Sequence, residues 1–401
     1  MTFCICIAMI FIQSQFPDTF LGSISVGNDP VDLCISPDGT RAYAAVEFGY
    51  ATAVDILGYD SFELAGLVSI DGTPSAVQCD GTGEVLYVAD SENSLVHIVD
   101  TGTLEATGSF PVQPAPVDMV LSAEHERVFL SHSGGMVTVI STQTSSVETV
   151  FWAGNSLHSL SVSPCDNYVY AADAASPEET VINAGTLSVT RFSSGMDSMA
   201  SAVSGCGEWL YLSSTDWDLI GVVNTEDLTL DTTLSCTGEA PVEMAALPDL
   251  PYLYGVDEEG AGLVVYSIQD FAFLGTVPVP GEPVDLEVHP DGERIFLVCT
   301  GDNRMKVIGY DPAGIQGNEG AALLTAESPS VNPSVIARGF TGELTLKAWD
   351  LSGRMVWEGR STAAPGEACE FSITGVPSGL LLVRAESGDL SATASIVVLK
   401  P

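Results

Sequence analysis

The chain has 401 residues, and its 53 Asp and Glu against 12 Lys and Arg give it a formal net charge of −41. Nucleic-acid binding depends on Lys and Arg that neutralise phosphates, so this composition argues against a nucleic-acid partner and against an anionic membrane surface. The acidic residues are scattered among apolar segments, which indicates a charged surface on a folded protein rather than a disordered acidic tail.

The N-terminal residues 1–15, MTFCICIAMIFIQSQ, form an apolar run of signal-peptide length that ends in polar residues. This pattern predicts a signal peptide. The run has no positive charge at its start, so a strand or tail of the folded domain stays open as the alternative. It is too short to span a membrane and no other stretch approaches that length, so we expect no integral membrane segment.

From residue 16 to residue 312 the sequence repeats with a period of about 42 residues. Each copy carries an aromatic marker, and successive markers are 41 to 44 residues apart. The markers are Tyr43, Tyr87, Phe129, Tyr170, Tyr211, Tyr254 and Phe296. The residues that precede each marker by 13 positions are Pro30, Pro74, Pro116, Leu157, Ser198, Pro241 and Pro283. A proline therefore opens five of the seven copies.

The pattern inside one copy selects the architecture. In the second copy a short strand is followed by the β-rich runs VLYVAD, LVHIVD and LEATGSFPV, separated by the turns SENS and TGT. Four short strands joined by hairpins, with no helical period, are typical of one β-propeller blade. The sequence therefore predicts an all-β fold in which residues 16–312 form a seven-bladed β-propeller.

The last copy lacks its own outer strand. The pattern stops after RMKVIGY, while TFLGSISVG at residues 19–27 resembles FAFLGTVPV, the outer strand of the sixth copy. An N-terminal strand that completes the last blade would pair an otherwise open sheet edge. We therefore expect residues 19–27 to close the ring.

Several segments carry a resemblance to a known family. PDGTRAYAA, PDGERIFLV and GEVLYVADSENSLVHIVD are similar to the blades of YVTN-type β-propeller repeat proteins. The resemblance covers about residues 19–312 and implies the propeller fold. It says little about function, although YVTN repeats are similar to seven-bladed lactonase-type propellers.

The C-terminal part changes character. Residues 313–329 are rich in small residues and predict a linker, and residues 330–401 alternate β-rich runs with Gly turns, which predicts a small β-sandwich. This segment resembles the C-terminal sorting domain of bacterial type IX secretion (the Por secretion tail) in Asn332 and Pro333, in DLSGR at residues 350–354, in PSG at residues 377–379 and in the ending IVVLK. A related flagellar-hook-type immunoglobulin-like domain is the alternative. The resemblance implies the secretion machinery as a partner and an extracellular or outer cell-surface location in a diderm bacterium.

Ligand sites of propellers lie where the innermost strands begin, so the position two residues after the opening proline is informative. It holds Asp32, Ala76, Asp118, Ser159, Ala200, Glu243 and Asp285. Converging carboxylates without His or Cys suit a hard cation, so Asp32, Asp118, Glu243 and Asp285 are candidate ligands for calcium or another divalent cation. The alternative is that each acid caps a local backbone turn or faces solvent.

Other chemistry-bearing residues show no catalytic arrangement. The five His have no metal-ligand spacing, and no GxSxG motif is present. Beyond the predicted signal peptide seven Cys remain, an odd number without a CxxC pair, so we expect free buried thiols rather than a disulfide framework. Cys165 and Cys206 occupy equivalent turns of adjacent copies, which are expected to lie too far apart for a bridge.

Two functions from different classes remain. The first is a secreted or cell-surface propeller, expected to be monomeric, that acts as a binding scaffold for a protein or glycan partner. The export signals and the absence of a catalytic cluster favour it. The second is a metal-assisted, lactonase-like hydrolase at the mouth of the central channel, where the bound cation would polarise a carbonyl. Fold alone does not choose between them.

Overall fold

The computed structural model describes residues 16–236, 240–248, 250–257 and 262–310 and seven C-terminal strands. These residues are all-β, and no helix occurs among them. Nothing in this described part is a helix that could cross a membrane. The predicted signal peptide, residues 1–15, lies outside the described residues, as does most of the predicted linker.

Seven four-stranded antiparallel sheets are the blades of the propeller among the described residues. The first strand, β1 (Thr19–Ser25), belongs to the last blade. Blade 1 comprises β2 (Pro30–Ile35), β3 (Arg41–Val46), β4 (Tyr50–Ile56) and β5 (Phe62–Ser69). Blade 2 comprises β6 (Pro74–Cys79), β7 (Val85–Asp90), β8 (Leu95–Asp100) and β9 (Glu105–Pro111). Blade 3 comprises β10 (Pro116–Ser122), β11 (Arg127–His132), β12 (Met136–Ser141) and β13 (Ser146–Trp152).

The second half of the ring repeats this order. Blade 4 comprises β14 (Leu157–Val162), β15 (Tyr168–Asp173), β16 (Glu178–Asn183) and β17 (Val189–Ser193). Blade 5 comprises β18 (Ala200–Val203), β19 (Trp209–Ser214), β20 (Leu219–Asn224) and β21 (Thr229–Ser235). Blade 6 comprises β22 (Met244–Ala246), β23 (Tyr252–Asp257), β24 (Gly262–Ser267) and β25 (Phe273–Pro278). Blade 7 comprises β26 (Pro283–Val288), β27 (Ile295–Cys299), β28 (Arg304–Gly309) and β1.

The outer strand of blade 7 comes from the other end of the propeller sequence. β1 pairs antiparallel with β28, from Thr19 opposite Gly309 to Ser25 opposite Arg304. The guanidinium of Arg304 donates to the Oγ of Ser23 (2.8 Å) and to its carbonyl (3.0 Å). Blade 7 thus has the same four antiparallel strands as the other blades.

The hydrophobic core is divided among the blade interfaces. The seven marker aromatics are each at most 3% exposed, and burial of one Tyr or Phe side chain contributes about 1.5–3 kcal/mol. The described residues contain seven apolar clusters, one at each interface between neighbouring blades. The cluster between blades 7 and 1 includes Val26, Leu33, Phe296 and Met305. The aromatic repeat thus marks the side chain that each blade inserts against its neighbour, and the predicted seven-bladed propeller is confirmed.

Five of the innermost strands begin with an irregularity. In β2, β6, β10, β14 and β26 the pairing with the next strand shifts directly after the opening residue. An extra residue in one strand bends it and re-aims its side chains. In β2, β10 and β26, residues one and two positions after the opening residue both line the central cavity.

The described C-terminal strands belong to a second unit of the chain. Its strands are β29 (Leu323–Ala326), β30 (Ser334–Arg338), β31 (Gly342–Asp350), β32 (Met355–Ala363), β33 (Cys369–Ser372), β34 (Gly379–Ser387) and β35 (Leu390–Val398). β29, β30 and β33 form one antiparallel sheet, and β32, β31, β34 and β35 form another.

Candidate functional site

The seven innermost strands surround a cavity of about 560 Å³. Its lining forms tiers because successive positions of each strand lie at successive depths. The first tier, here called the collar, is Val31, Ser75, Val117, His158, Met199, Val242 and Val284. The second, the acidic tier, is Asp32, Asp118, Glu243 and Asp285. The structure therefore brings all four predicted site residues to one cavity.

Three of the four acids form hydrogen bonds between blades. Asp285 Oδ2 accepts the backbone N–H of Leu33 in blade 1 (2.7 Å), and Asp32 Oδ2 accepts that of Val77 in blade 2 (2.5 Å). Asp118 Oδ2 in the same way accepts an N–H from blade 4 (2.6 Å). These bonds differ from the expected local caps, because the acids cap the next blade rather than a turn of their own blade. Their first role is to hold neighbouring inner strands in register.

Glu243 does not make this bond between blades. Its Oε1 accepts the N–H of Met244 in its own strand (3.0 Å). In blade 4, Ser159 replaces the acid, and its Oγ accepts the N–H of Ser201 in blade 5 (3.1 Å). The bridge thus needs a short side chain with an oxygen, which Asp and Ser supply and which the longer Glu243 does not.

The acids in blades 7 and 1 influence each other's ionisation. Burial and the charge of Asp285 raise the pKa of Asp32 well above its usual value. The pKa of Asp285 rises to about 6, mainly through burial. The charge of Asp285 therefore disfavours ionisation of Asp32, as in other carboxyl pairs held close together.

A fifth carboxylate, Glu287, joins the site. It lies two residues beyond Asp285 on β26, so it is about 6 Å deeper in the cavity. The side chain is exposed to water inside the cavity that the inner strands line. Desolvation by the surrounding protein, with the charges of Asp285 and Asp118, raises the pKa of Glu287 to about 8. Burial also raises the pKa of Asp118 to about 7. Alternate residues of a strand face the same side, so the position two residues after Asp285 is also expected to face the cavity. This reasoning would have predicted Glu287 from the sequence.

The predicted ligands Asp32, Asp118, Glu243 and Asp285 line one cavity. Among the described residues, no three His, Cys, Asp or Glu side chains are grouped so that they could hold a metal ion. The divalent-cation site at Asp32, Asp118, Glu243 and Asp285 therefore stays a prediction.

The mouth of the cavity is apolar. Five of the seven collar residues are Val or Met, and all seven are partly exposed. Two large side chains lie in loops at the same end of the blades: Phe48 is 65% exposed and Trp217 is 62% exposed. Their loops join the second and third strands of blades 1 and 5, beside the start of the inner strands. The cavity thus presents an apolar entrance above an acidic interior.

The remaining candidates are spread through the molecule. The predicted burial of free thiols is confirmed for Cys34, Cys79 and Cys299. It is wrong for Cys165 and Cys206, which are exposed because their turns lie at the surface. The side chain of Cys369 lies outside the described residues. His158 lies in the collar, where burial lowers its pKa, and His289 bonds the carbonyl of Gly39 across a blade interface (2.9 Å).

Comparison with known proteins defines the class of the fold. No family model and no curated protein matches the chain. Among solved structures, a chain of the Kuenenia stuttgartiensis hydrazine synthase is similar, with a TM-score of 0.62 and 15% sequence identity. The similarity covers 76% of this chain and 99% of that one. At this identity the likeness shows the fold alone, which is a β-propeller, a fold that commonly serves as a binding scaffold.

Proposed function

We propose that the chain is a binding module whose cavity mouth takes a basic segment of a protein partner. The observation that carries the proposal is the apolar collar directly above five carboxylates. An Arg or Lys side chain has an apolar stem and a cationic head, so it matches this order of surfaces. The net charge of −41 adds long-range attraction for a basic partner. A neutral glycan would leave the acids without a cationic partner.

The test uses the full chain and a pair of fluorescent hexapeptides with Arg or its neutral isostere citrulline between leucines. We expect the Arg peptide to bind at least about tenfold more tightly, which corresponds to ~1.4 kcal/mol. At pH 9, where a carboxyl group with a pKa of about 8 is mostly ionised, Glu287→Gln should remove most of this preference. Glu63→Gln is the matched control because it removes the same charge from an exposed position on the outer strand β5. Equal losses in both variants would show non-specific attraction and would overturn the proposal.

The pH dependence gives a second readout. The cavity acids attract a cation only when they are ionised, and the pKa values of Asp118 and Glu287 are about 7 and about 8. Arg keeps its charge throughout this range. Binding of the Arg peptide should therefore strengthen from pH 6 to pH 9, and the Glu287→Gln variant should show a smaller change. Preference for a neutral hexasaccharide over both peptides would favour a glycan partner instead.

A divalent cation, and with it a lactonase-like hydrolase, is the second candidate. It is supported by the crowding of carboxylates at one cavity, because calcium prefers oxygen ligands. Calcium titration by calorimetry should show saturable binding, and substitution of Asp32, Glu243 or Asp285 by its amide should weaken it. Heat signals that are unchanged in all three variants would place any calcium elsewhere. No heat signal at all would leave the binding module.

We further propose that the protein is secreted or held at the outer cell surface, with residues 330–401 as the export signal. The proposal rests on the apolar residues 1–15 and on the sorting-domain resemblance of the C-terminal segment. Deletion of residues 330–401 should leave a folded propeller in the periplasm of a producing diderm bacterium. Immunoblotting of cell fractions measures the export. Unchanged export of this variant would refute the role of residues 330–401 as an export signal.

A further inference from the structure

The interface between blades 1 and 2 holds a pair of thiols that the sequence did not associate. The Sγ atoms of Cys34 and Cys79 are 3.9 Å apart, although the two residues are 45 positions apart in the chain. Cys34 is 3% exposed and Cys79 is 0% exposed. Both belong to the apolar cluster between the two blades. They are therefore an isolated pair of neighbouring thiols across a blade boundary.

The position of this pair is fixed by the acidic tier. Asp32, two residues before Cys34, accepts the N–H of Val77, which is two residues before Cys79. This bond sets the register between β2 and β6. The two sulfurs need to approach by about 1.9 Å to reach the S–S bond length of about 2.05 Å. The hydrogen bond of Asp32 thus joins the two strands whose thiols lie close together.

Other interfaces do not combine two thiols at these positions. The equivalent pairs are Gln78 and Leu121, Val120 and Val162, Ser161 and Val203, Ala202 and Ala246, Ala245 and Val288, and Glu287 and Ile35. Both residues are apolar at three of these six interfaces, so a pair of cysteines is not required by the fold. The juxtaposition is specific to blades 1 and 2.

We propose that Cys34 and Cys79 are a disulfide site that covalently links blades 1 and 2 in an oxidising environment. A small-molecule disulfide is the oxidant. The thiolate of one cysteine attacks it and releases one small thiol, and the second thiolate then attacks the mixed disulfide and releases the other. The protein thiols lose two protons and two electrons, and the oxidant is reduced to two thiols.

The surroundings predict how the reaction proceeds. Burial and the neighbouring Cys79 thiol raise the pKa of Cys34, so the thiolate is scarce in the folded chain. The oxidation should be slow in the native protein and faster during refolding, when the blade interface is open. Once formed, the bridge lies three to four residues further along β2 and β6 than the collar residues Val31 and Ser75, so it would stiffen these two inner strands below the collar.

The test is to refold the full chain with oxidised and reduced glutathione, block free thiols under denaturing conditions, and map peptides by mass spectrometry. We expect a peptide containing Cys34 linked to one containing Cys79, and a higher Tm that returns to its original value on reduction. Cys34→Ala and Cys79→Ala should each abolish both effects. Cys299→Ala, which removes another buried thiol, should leave the bridge in place.

The wild-type chain alone can overturn the proposal, so the result does not depend on whether the variants fold. Cys34 and Cys79 that stay free while the exposed Cys165 and Cys206 are oxidised would overturn it. A bridge between Cys34 and Cys79 that lowers the Tm would also overturn it, because the link would then strain the interface.

Discussion

The interface between blades 7 and 1 and the interface between blades 4 and 5 hold neighbouring blades together with different side chains. At the interface between blades 7 and 1, an acidic and a basic side chain of blade 7 form the hydrogen bonds. Asp285 accepts the N–H of Leu33 (2.7 Å), and His289 Nε2 donates to the carbonyl of Gly39 (2.9 Å). Here the sequence keeps the opening proline and the Pro-Asp-Gly turn of the repeat in both blades.

Blades 4 and 5 have neither the opening proline nor the Pro-Asp-Gly turn. Serine side chains form the hydrogen bonds between these blades. Ser159 Oγ accepts the N–H of Ser201 (3.1 Å). Ser198, which replaces the opening proline of blade 5, donates its hydroxyl to Glu179 (2.6 Å). Ser194 donates to the same carboxyl oxygen (2.9 Å). Glu179, a buried acid in the third strand of blade 4, therefore holds the crossing to blade 5 by hydrogen bonds. In five of the seven blades a proline restricts the backbone at this position.

The difference shows what the repeat motif does. Proline lowers the conformational freedom of the unfolded chain at the crossing between blades, whereas hydrogen bonds to a buried acceptor hold the same crossing by direct contacts. The proline crossing tolerates single substitutions of neighbouring residues. The hydrogen-bonded crossing depends on one side chain, so the loss of that side chain should cost a correspondingly large part of the free energy of unfolding.

The largest effect is expected at the interface of blades 7 and 1, where deletion of residues 19–27 removes β1. β28 would lose its partner strand and the apolar cluster would lose Val26, so we expect loss of cooperative unfolding in urea. The control reinserts the same residues after Tyr310 through a short turn, which is feasible because Thr19 pairs with Gly309. Restored folding in this variant is expected. A deletion variant that melts like the parent would contradict a closing role.

At the interface of blades 4 and 5, Glu179→Ala should reduce the free energy of unfolding by about 2–4 kcal/mol. The substitution leaves a cavity and removes the acceptor of Ser194, Ser198 and the N–H of Asp173. Glu179→Gln is the matched control, because the amide retains an acceptor oxygen. Urea titrations of the three chains at pH 6 would check the order. A cost for the Gln variant as large as that for Ala would show that the acceptor is not what matters.

Glu179 also makes this interface sensitive to pH. Burial raises the pKa of Glu179 to about 8, above its usual value of 4.5. A raised pKa means that the folded state binds the proton more tightly, so this stability is present at low pH and is lost as the pH rises through 8. The parent should therefore lose more stability than Glu179→Gln between pH 6 and pH 9. Equal losses in urea titrations at the two pH values would remove Glu179 as the cause.

The sequence was sufficient for the repeat but not for these contacts. The spacing of the aromatics and the turn residues predicted seven blades because both are local signals with a fixed period. The convergence of Asp32, Asp118, Glu243 and Asp285 followed from one position of the repeat. Which backbone group each acid contacts did not follow, because it depends on the bulge that shifts the inner strands by one residue.

Contacts between blades were missed for a similar reason. Cys34 and Cys79 stand at different positions of their copies, so alignment of the repeat does not place them together. Neighbouring blades are displaced relative to each other, and the alignment contains no information about that displacement. Glu179, which follows Glu178 in β16, was missed because these acids are not repeated from blade to blade and therefore give no periodic signal.

The smallest effect is expected from a matched pair of turn glycines, Gly39→Ala and Gly207→Ala. Both glycines have left-handed backbones (φ of 69° and 74°), where an L-residue costs about 1 kcal/mol. A Cβ at Gly39 would lie 2.7 Å from the ring of His289, whereas at Gly207 it would lie 3.6 Å from Pro164, an ordinary contact. Gly39→Ala should therefore cost more, by about 1 kcal/mol.

A double-mutant cycle with His289→Ala sharpens this test. If the extra cost at Gly39 arises from displacing His289, it should vanish when the imidazole is absent, while the cost of Gly207→Ala should be unchanged. Urea titrations of the single and double variants measure both differences. If both substitutions reduce the free energy of unfolding of the parent chain equally, the interface of blades 7 and 1 accommodates the added methyl group as easily as the interface of blades 4 and 5.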